Sequence, residues 1–171
     1  MSDISFGMAI DTVTCVGCAA CVIGCKTEND TAPEFSRDWI YTLLEGEYPQ
    51  LRMSIRSERC NHCEDAPCVT VCPTGSSHYG PGGSVQINPD KCSGCKACIT
   101  ACPYDARHID PRSGAADKCT VCMHRIEGGT PTTSCQEICP TQSIYFGDLN
   151  NPESEISRVL ATRDWYVLKP D

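Results

Sequence analysis

The sequence has few of the residues from which an ordinary protein core is built. Its 171 residues include three Phe and two Trp, and no stretch approaches the 18 or more apolar residues that span a membrane. Residues 1–14 lack the basic start, apolar segment and twin arginine of export signals. We therefore expect a chain that does not cross a bilayer by itself, folds in a reducing compartment and needs more than apolar burial for stability.

Basic residues and recognisable catalytic motifs are scarce as well. Lys and Arg number 14 against 22 Asp and Glu, which gives a formal net charge of −8 at pH 7. Nucleic-acid binding relies on a surplus of Lys and Arg on one face, so the charge argues against a nucleic-acid partner. The sequence also contains no convincing nucleophile–base pair, phosphate loop or dinucleotide fingerprint, and it predicts no independent active site.

Cysteine, in contrast, is abundant. The 16 cysteines fall into four groups of four, which we number I to IV in chain order. Group I is Cys15, Cys18, Cys21 and Cys25; group II is Cys60, Cys63, Cys68 and Cys72; group III is Cys92, Cys95, Cys98 and Cys102; group IV is Cys119, Cys122, Cys135 and Cys139. Thiols stay reduced in a reducing compartment, so the pattern favours metal ligation over a disulfide framework.

The spacing within groups I and III indicates iron and sulfur. Both are complete C-x2-C-x2-C-x3-C runs, the spacing of bacterial two-cluster ferredoxins, in which three cysteines surround one cluster and the fourth points elsewhere. Zinc also accepts four thiolates, usually from two C-x2-C pairs separated by a longer loop. Only group IV, with 12 residues between Cys122 and Cys135, looks like that, and zinc at this one site stays an alternative. The sequence otherwise predicts four [4Fe-4S] clusters bound by all 16 cysteines.

The groups also predict an internal duplication. Gly17 and Gly94 precede the second cysteine of groups I and III, and groups II and IV both end in a Cys-Pro-Thr sequence that starts at Cys72 and Cys139. The simplest interpretation of this self-similarity is a repeated two-cluster unit.

The segments outside the groups predict short regular elements. Residues 26–59 contain no cysteine, and the stretch around Trp39 and Tyr41 predicts a strand pair, either a docking ribbon or a small satellite core. Residues 84–87 and 143–146 predict strands, and residues 152–162 predict a short helix. The tail after this helix has few apolar residues, so we expect it to lie on a neighbour or to fray.

Charged and imidazole side chains next to the cysteines have two open interpretations. Four basic residues adjoin the groups, namely Lys91, Lys96, Lys118 and Arg125. A cation near cluster sulfides raises a reduction potential, whereas the alternative is that these residues only solvate an acidic surface. The four histidines follow no metal spacing, and we expect them to form hydrogen bonds or to lie on the surface.

Five stretches together resemble the four-cluster iron-sulfur subunits of the dimethyl sulfoxide reductase superfamily, such as those of polysulfide, thiosulfate, tetrathionate and dimethyl sulfoxide reductases. They are C-V-G-C-A-A-C-V-I-G-C-K-T-E-N, C-N-H-C-E-D-A-P-C-V-T-V-C-P-T-G, K-C-S-G-C-K-A-C-I-T-A-C-P-Y-D-A-R, D-K-C-T-V-C-M-H-R and C-P-T-Q-S-I-Y-F-G-D-L. The resemblance implies a subunit that is not itself catalytic and that relays single electrons between two partners. These are a molybdenum or tungsten bis-pterin catalytic subunit and a quinol-exchanging membrane subunit.

The resemblance further implies which cysteines share a cluster. Groups I and IV would form one ferredoxin-like domain and groups II and III the other, and the fourth cysteine of each group would bind the neighbouring cluster. The expected ligands are Cys15, Cys18, Cys21 and Cys139 for cluster 1; Cys25, Cys119, Cys122 and Cys135 for cluster 2; Cys60, Cys63, Cys68 and Cys102 for cluster 3; and Cys72, Cys92, Cys95 and Cys98 for cluster 4.

The expected fold is therefore α+β, with two bacterial-ferredoxin-like two-cluster domains related by internal duplication. Domain A comprises residues 1–30 and 113–147, and domain B comprises residues 60–112. Residues 31–59 form an inserted ribbon between them, and residues 148–171 form a C-terminal helix and tail.

The context of the chain is less closely specified by its sequence. A freestanding soluble polyferredoxin and a zinc-organised scaffold stay open as alternatives, as does a soluble two-subunit enzyme without a membrane partner. We expect assembly in the cytoplasm and a peripheral place in a membrane-associated complex, on the periplasmic side if a partner's signal carries the chain across. Substrate, direction of electron flow and cluster potentials stay open.

Overall fold

The computed structural model describes residues 4–168, in which short helices alternate with two-stranded antiparallel sheets. The described helices are α1 (Ala20–Glu28), α2 (Pro67–Thr70), α3 (Ala97–Thr100), α4 (Met123–Glu127), α5 (Ser134–Glu137) and α6 (Glu155–Thr162). The described strands are β1 (Phe6–Ile10), β2 (Asp38–Glu45), β3 (Arg52–Arg59), β4 (Ser77–Tyr79), β5 (Val85–Ile87), β6 (His108–Ile109), β7 (Ala116–Asp117) and β8 (Ile144–Asp148). The first three residues of the expected segment 1–30 and the last three of segment 148–171 lie outside the described residues.

The two ends of the described chain are joined by strand pairing. Strand β1 pairs antiparallel with β8, in the register Phe6↔Asp148 to Ile10↔Ile144. Helix α1 packs against α5, where the Ser134 hydroxyl donates a hydrogen bond to the Gly24 carbonyl at 3.2 Å. Groups I and IV are therefore neighbours although most of the chain separates them, and the strand predicted at residues 143–146 is confirmed as the start of β8.

The middle of the chain forms a second assembly. Strand β4 pairs with β5 and β6 with β7, while α2 packs against α3. Ala66, Val85 and Ala116 are buried together with Cys68 and Cys98 in one cluster. Groups II and III therefore surround a common core, and the strand predicted at residues 84–87 is confirmed as β5.

Strands β2 and β3 form a hairpin where the sequence predicts a strand pair. At its open end Asp38 and Arg59 are cross-strand partners, and both are buried. Ile40 and Ile55 pack against the group I loop at Gly17, where an added Cβ would lie 3.0 Å from Ile55. Trp39 is half-buried and Tyr41 is exposed. The base of the hairpin therefore belongs to the core, as the satellite-core interpretation expects.

The tip of this hairpin is exposed to solvent. Leu44 and Met53 are cross-strand partners with 62% and 61% exposure, and Tyr48 in the turn is 88% exposed. The tip therefore presents apolar side chains that do not pack on the rest of the described chain.

The predicted C-terminal helix begins three residues later than expected. Helix α6 starts at Glu155 because the Ser154 hydroxyl accepts a hydrogen bond from the Ser157 amide at 3.2 Å, as an N-cap residue does. Beyond α6 the side chains of Trp165 and Tyr166 are exposed, and Tyr104 donates a hydrogen bond to the Leu168 carbonyl at 3.3 Å. No described helix is long and apolar enough to cross a membrane.

The buried apolar residues are mostly small. Of the 18 found in the described chain, seven are cysteines and five are alanines. The interior is therefore built around thiol side chains, in agreement with the scarcity of large apolar residues in the sequence.

Candidate iron-sulfur centres

The loops of groups I and III follow the same backbone path. Gly17 and Gly94 have φ of 66° and 67°, and Ala19 and Lys96, two positions further on, have φ of 59° and 64°. A glycine is required at position 94 because an added Cβ would also lie 2.8 Å from the Gly114 carbonyl oxygen. The repeat seen in the sequence therefore corresponds to a repeated left-handed turn before α1 and α3.

One cavity collects thiols from groups I and IV. Its cysteine lining is Cys25, Cys119, Cys122 and Cys135. Three of these come from group IV, and the fourth is the last cysteine of group I. These are the four residues expected to bind cluster 2, and we refer to this cavity as the first cavity.

A second cavity collects thiols from groups II and III. Its cysteine lining is Cys72, Cys92, Cys95 and Cys98, the four residues expected to bind cluster 4. Here the three come from group III and the fourth is the last cysteine of group II. The two cavities therefore repeat one arrangement, a loop of three cysteines completed by the fourth cysteine of another group.

The remaining thiols are also drawn together across groups. Burial raises the pKa of Cys63, and the neighbouring Cys60, Cys68 and Cys102 raise it further. Those four residues are the ligands expected for cluster 3. Of the cysteines expected for cluster 1, Cys139 packs against an apolar cluster formed by Cys21, Cys135 and Ile144, while Cys15 is half-buried and Cys18 is exposed.

Two buried thiols of the first cavity have strongly shifted acidities. Burial raises the pKa of Cys119 to about 12, and burial together with the nearby carboxylate of Asp38 raises the pKa of Cys25. Such thiols are protonated near neutral pH in the absence of metal. Iron binding must therefore displace their protons, as expected when metal binding is coupled to folding.

The fourth cysteines of groups II and IV have the opposite shift. Burial would raise the pKa of Cys72, but hydrogen bonds from the Ser77 amide and the Thr74 side chain lower it below its ordinary value. The Ser143 amide, 3.3 Å from the Cys139 sulfur, has the same effect on Cys139 together with the side chain of Thr141. The shared Cys-Pro-Thr sequence thus directs backbone and hydroxyl donors at both sulfur atoms.

Arg59 is buried between groups I and IV. Its Nη1 donates to the Cys135 sulfur at 3.0 Å, and its Nη2 donates to the Ser57 hydroxyl, which lies 3.4 Å from the Cys21 sulfur. Burial alone would lower the pKa of Arg59, but nearby Cys135 and Asp38 raise it above its ordinary value. The guanidinium therefore stays charged beside these sulfur atoms.

Arg107 is buried beside groups II and III. Its Nη2 donates to the Cys68 sulfur at 2.8 Å and to the Ser77 hydroxyl at 3.0 Å. The Ser77 amide in turn donates to the Cys72 sulfur at 3.4 Å, and Arg107 itself lines the second cavity. An arginine and a serine therefore join two thiols here as they do at Arg59.

Lys118 is fully buried, with 0% exposure. Its ammonium donates to the Cys119 carbonyl at 2.7 Å and to the Val85 carbonyl, and the Val85 amide donates to His62 Nδ1 at 2.9 Å. Burial lowers the pKa of Lys118, whereas nearby Cys60 and Cys119 oppose that shift. Burial, followed by nearby Lys118, also lowers the pKa of His62 well below its usual range.

Asp38 is the cross-strand partner of Arg59 and lines the first cavity. It is 2% exposed, and within residues 4–168 neither carboxylate oxygen has a hydrogen-bond partner. Burial raises the pKa of this carboxyl to about 6 in spite of the opposing charge of Arg59. The first cavity therefore contains a buried acid as well as a buried cation.

Unpartnered buried donors test whether an anionic cluster fits these sites. Among the described residues, Arg59 Nε, Arg107 Nε and Nη1 and His62 Nε2 are buried without a hydrogen-bond partner. Since His62 Nδ1 accepts from Val85, its Nε2 carries the proton and is also a donor. Iron-sulfur clusters with four thiolate ligands are anions with acceptor sulfides, so the residues present fit them.

A mononuclear metal fits less well. Within residues 4–168 no three His, Cys, Asp or Glu side chains are placed to hold one metal ion. The thiolates around a four-iron cluster stand farther apart because each binds a different iron.

The structure distinguishes among the basic residues beside the cysteines. Lys91 and Lys96 are exposed, and Arg125 pairs with Glu137 and Glu28, whereas Lys118 is buried. Sequence reasoning missed Arg59 and Arg107. The available signal was their position, since Arg59 directly precedes Cys60 and Arg107 ends the C-P-Y-D-A-R stretch.

Comparisons with known proteins show which type of cluster the chain binds. Two family models, each described as a 4Fe-4S dicluster domain, match residues 14–76 and 51–149, which together include all 16 cysteines. The chain is thus a protein with two dicluster domains, and the four [4Fe-4S] clusters predicted from its cysteines are confirmed.

Three curated relatives specify the family. The B subunit of polysulfide reductase from Wolinella succinogenes is 39% identical over 92% of this chain and 84% of its own length. Thiosulfate reductase electron transfer subunit PhsB of Salmonella typhi is 37% identical over 93% of this chain and 83% of its own length. Protein NrfC of Escherichia coli is 39% identical over 99% of this chain and 77% of its own length. The chain therefore belongs to the family of iron-sulfur electron-transfer subunits of reductase complexes in the dimethyl sulfoxide reductase superfamily, as its motifs predict.

Proposed function

We propose that this chain relays single electrons between a catalytic subunit with a molybdenum or tungsten bis-pterin cofactor and a quinol-exchanging membrane subunit. When bound, each [4Fe-4S] cluster accepts and releases one electron. The chain's own residues hold the four clusters at fixed positions and supply buried donors next to their thiolates. The observation that supports the proposal is the cross-group lining of the two cavities, since it favours neighbouring cluster sites within a single chain.

We further propose the crossed ligand sets, in which the fourth cysteine of each group binds the cluster of its partner group. The lining of the first cavity by Cys25 with three group IV cysteines supports cluster 2, and the lining of the second by Cys72 with three group III cysteines supports cluster 4. The packing of Cys139 near Cys21 supports cluster 1, and the influence of Cys102 on Cys63 supports cluster 3.

Cysteine-to-serine variants test the crossing. Cys139→Ser is expected to perturb the same electron paramagnetic resonance signal as Cys18→Ser, and to leave the signal altered by Cys122→Ser largely intact. The measurement is made on the reduced holoprotein, purified without oxygen. If Cys139→Ser and Cys122→Ser change one common signal, group IV closes its own site and the crossed ligand sets are wrong.

The domain arrangement follows from the same sets. We propose domain A from residues 1–30 and 113–147, domain B from residues 60–112, and an inserted ribbon at residues 31–59. The pairing of β1 with β8 supports the discontinuous domain, and the matching left-handed turns at Gly17 and Gly94 support an internal duplication of the two-cluster unit.

Copurification tests the identity of the partners. The exposed apolar side chains of the hairpin tip favour a subunit over a freestanding carrier, because such side chains are common at interfaces. A tagged chain isolated from its native cells is expected to bring down a large subunit containing molybdenum or tungsten, in a membrane-associated, peripheral position. Recovery of a monodisperse chain with about 16 iron atoms and no partner would instead establish a soluble polyferredoxin.

A further inference from the structure

Three buried cations lie at the junctions between neighbouring cluster sites. Arg59, Arg107 and Lys118 are all buried, and each touches or adjoins cysteines of two sites. Burying a positive charge is unfavourable unless nearby negative charge compensates it. Three such residues in so small an interior therefore indicate negative charge close to each cation.

Arg59 occupies the junction between sites 1 and 2. It donates directly to the sulfur of Cys135, a site 2 ligand, and through Ser57 it reaches Cys21, a site 1 ligand. Arg107 occupies the junction between sites 3 and 4 in the same way. It donates directly to Cys68 of site 3, and Ser77 continues the connection to Cys72 of site 4.

Lys118 occupies the middle junction. It immediately precedes Cys119 of site 2 and is hydrogen-bonded to the Cys119 carbonyl. Cys60 of site 3 packs against the apolar cluster that contains Cys119, and Val85 connects Lys118 to His62 between the group II cysteines. The order of sites and cations is therefore 1, Arg59, 2, Lys118, 3, Arg107, 4.

We propose that these three residues act as junction cations, each of which raises the reduction potentials of the two clusters that flank it. A [4Fe-4S] cluster with four thiolates carries a charge of about −2 when oxidised and −3 when reduced, so adjacent clusters repel each other's electron. A buried cation between them stabilises the reduced form of either one, and low-dielectric surroundings strengthen that effect. Transfer between neighbouring clusters would balance as one electron lost by one cluster and gained by the next, with no proton or bond exchanged.

This inference rests on the proposed relay, and for Arg59 and Lys118 it does not depend on the crossed ligand sets. The Arg107 junction does depend on them, because Cys68 and Cys72 both belong to group II. Cys21 and Cys135 belong to groups I and IV, and Cys119 and Cys60 belong to groups IV and II. These pairs would lie in different clusters even if every group closed its own site. A failure of the crossing in the serine variants would therefore leave the roles of Arg59 and Lys118 testable, and it would remove Arg107 from the set of junction cations.

The test compares two lysines that each immediately precede the first cysteine of a group. Lys118 is buried before Cys119, and Lys91 is exposed before Cys92. Lys118→Met keeps the length of the side chain and removes its charge, and Lys91→Met is the matched control. Redox titration of the purified holoprotein, followed by electron paramagnetic resonance, gives the four midpoint potentials without relying on a partner.

We expect Lys118→Met to lower two of the four potentials, each by about tenfold in the equilibrium constant for reduction, which corresponds to about 59 mV for one electron. Lys91→Met is expected to leave all four close to those of the parent protein, because solvent screens an exposed charge. Unchanged potentials in a fully loaded Lys118→Met protein, or an equal shift of all four, would overturn the proposal.

The arginines supply a second set of variants. Arg107→Met is expected to lower two potentials and to share one affected cluster with Lys118→Met, whereas Arg59→Met shares the other. Arg107→Lys retains the charge and is expected to recover most of the reduction potential that is lost in Arg107→Met. Iron loss in the charge-removing variants, with unshifted potentials in the clusters that remain, would mean that the cations only maintain the fold and would refute the inference.

Discussion

Each of the two cavities is lined by four cysteines, but the charged residues around them differ. The first contains the buried carboxylate of Asp38 beside Arg59, and Arg37 on its wall is already paired with Asp117 at 2.8 Å. No acidic residue of the described chain lines the second, which has Arg107, Lys96 and several hydroxyls. Because a negative charge disfavours the addition of an electron, the second site is expected to have the higher reduction potential. Two sites with the same four-cysteine ligand set are therefore expected to differ in reduction potential.

The difference has its origin in the hairpin. Asp38 and Arg59 are the first and last residues of that element, and they enter the first cavity as a pair. The second cavity is instead lined from strands and loops close to its own cysteines, such as Ser76 and Ser77. A segment without cysteines therefore determines how one cluster site differs from another.

Iron removal has the largest expected effect, because the regions around both cavities depend on bound iron for their stability. The buried apolar set consists mainly of cysteine and alanine, so burial alone cannot offset the loss of chain entropy. Treatment with an iron chelator under reducing conditions is expected to unfold most of the chain. Circular dichroism and backbone amide dispersion measure the outcome, and a cooperative melting transition in the iron-free protein would contradict it.

Asp38→Asn is expected to reduce the difference between the two cavities. At pH 8 a carboxyl with a pKa of about 6 is ionised, so the substitution removes one buried negative charge. The potential of the cluster bound by Cys25 should rise by about tenfold in its reduction equilibrium constant, or about 59 mV. Redox titration measures the shift.

The control for Asp38→Asn is Asp90→Asn, which removes an exposed acid two residues before Cys92. We expect little change from this control. If both substitutions shift their clusters equally, burial of the carboxylate has no special role and the comparison of the cavities loses its basis.

Adding a negative charge at the second cavity has a smaller expected effect than removing one from the first. Thr74→Asp places a negative charge against the second cavity, where the Thr74 hydroxyl lies 3.7 Å from the Cys72 sulfur. The potential of that cluster should fall by a few-fold in the reduction equilibrium constant, because position 74 is exposed and its charge is partly screened. Thr74→Val separates the charge from the lost hydrogen bond, and an equal shift in both variants would assign the effect to the hydrogen bond.

The hairpin tip is expected to have the least influence on the clusters. Leu44→Ser combined with Met53→Ser removes exposed apolar surface, so iron content and potentials should stay the same while binding to the partner weakens severalfold. Ile40→Ala at the base is the matched variant and is expected to lower iron content, because Ile40 packs in the cluster that contains Cys21. Iron loss from the tip variant would show that the tip supports the fold.

Local patterns in the sequence predicted the four clusters, the strand pair and the strand before α6. These features are set by spacing, turn residues and alternation over a few positions. The junction cations could not be predicted in that way. Lys91 and Lys118 have the same position relative to a cysteine group, but Lys118 is buried and its ammonium donates to the carbonyl of Val85, which lies in a distant segment. Burial of charge depends on tertiary neighbours, which local patterns do not specify.

The register of the hairpin has a consequence for how the protein can change over evolution. A slip of one residue would turn Asp38 and Arg59 to the opposite face, so single insertions within either strand are unfavourable. Equal additions to both strands near the turn preserve the pairing, and two residues in each would extend the tip by about 7 Å. The surface at the tip can therefore diversify to suit new partners while the charges beside the cluster site are inherited unchanged.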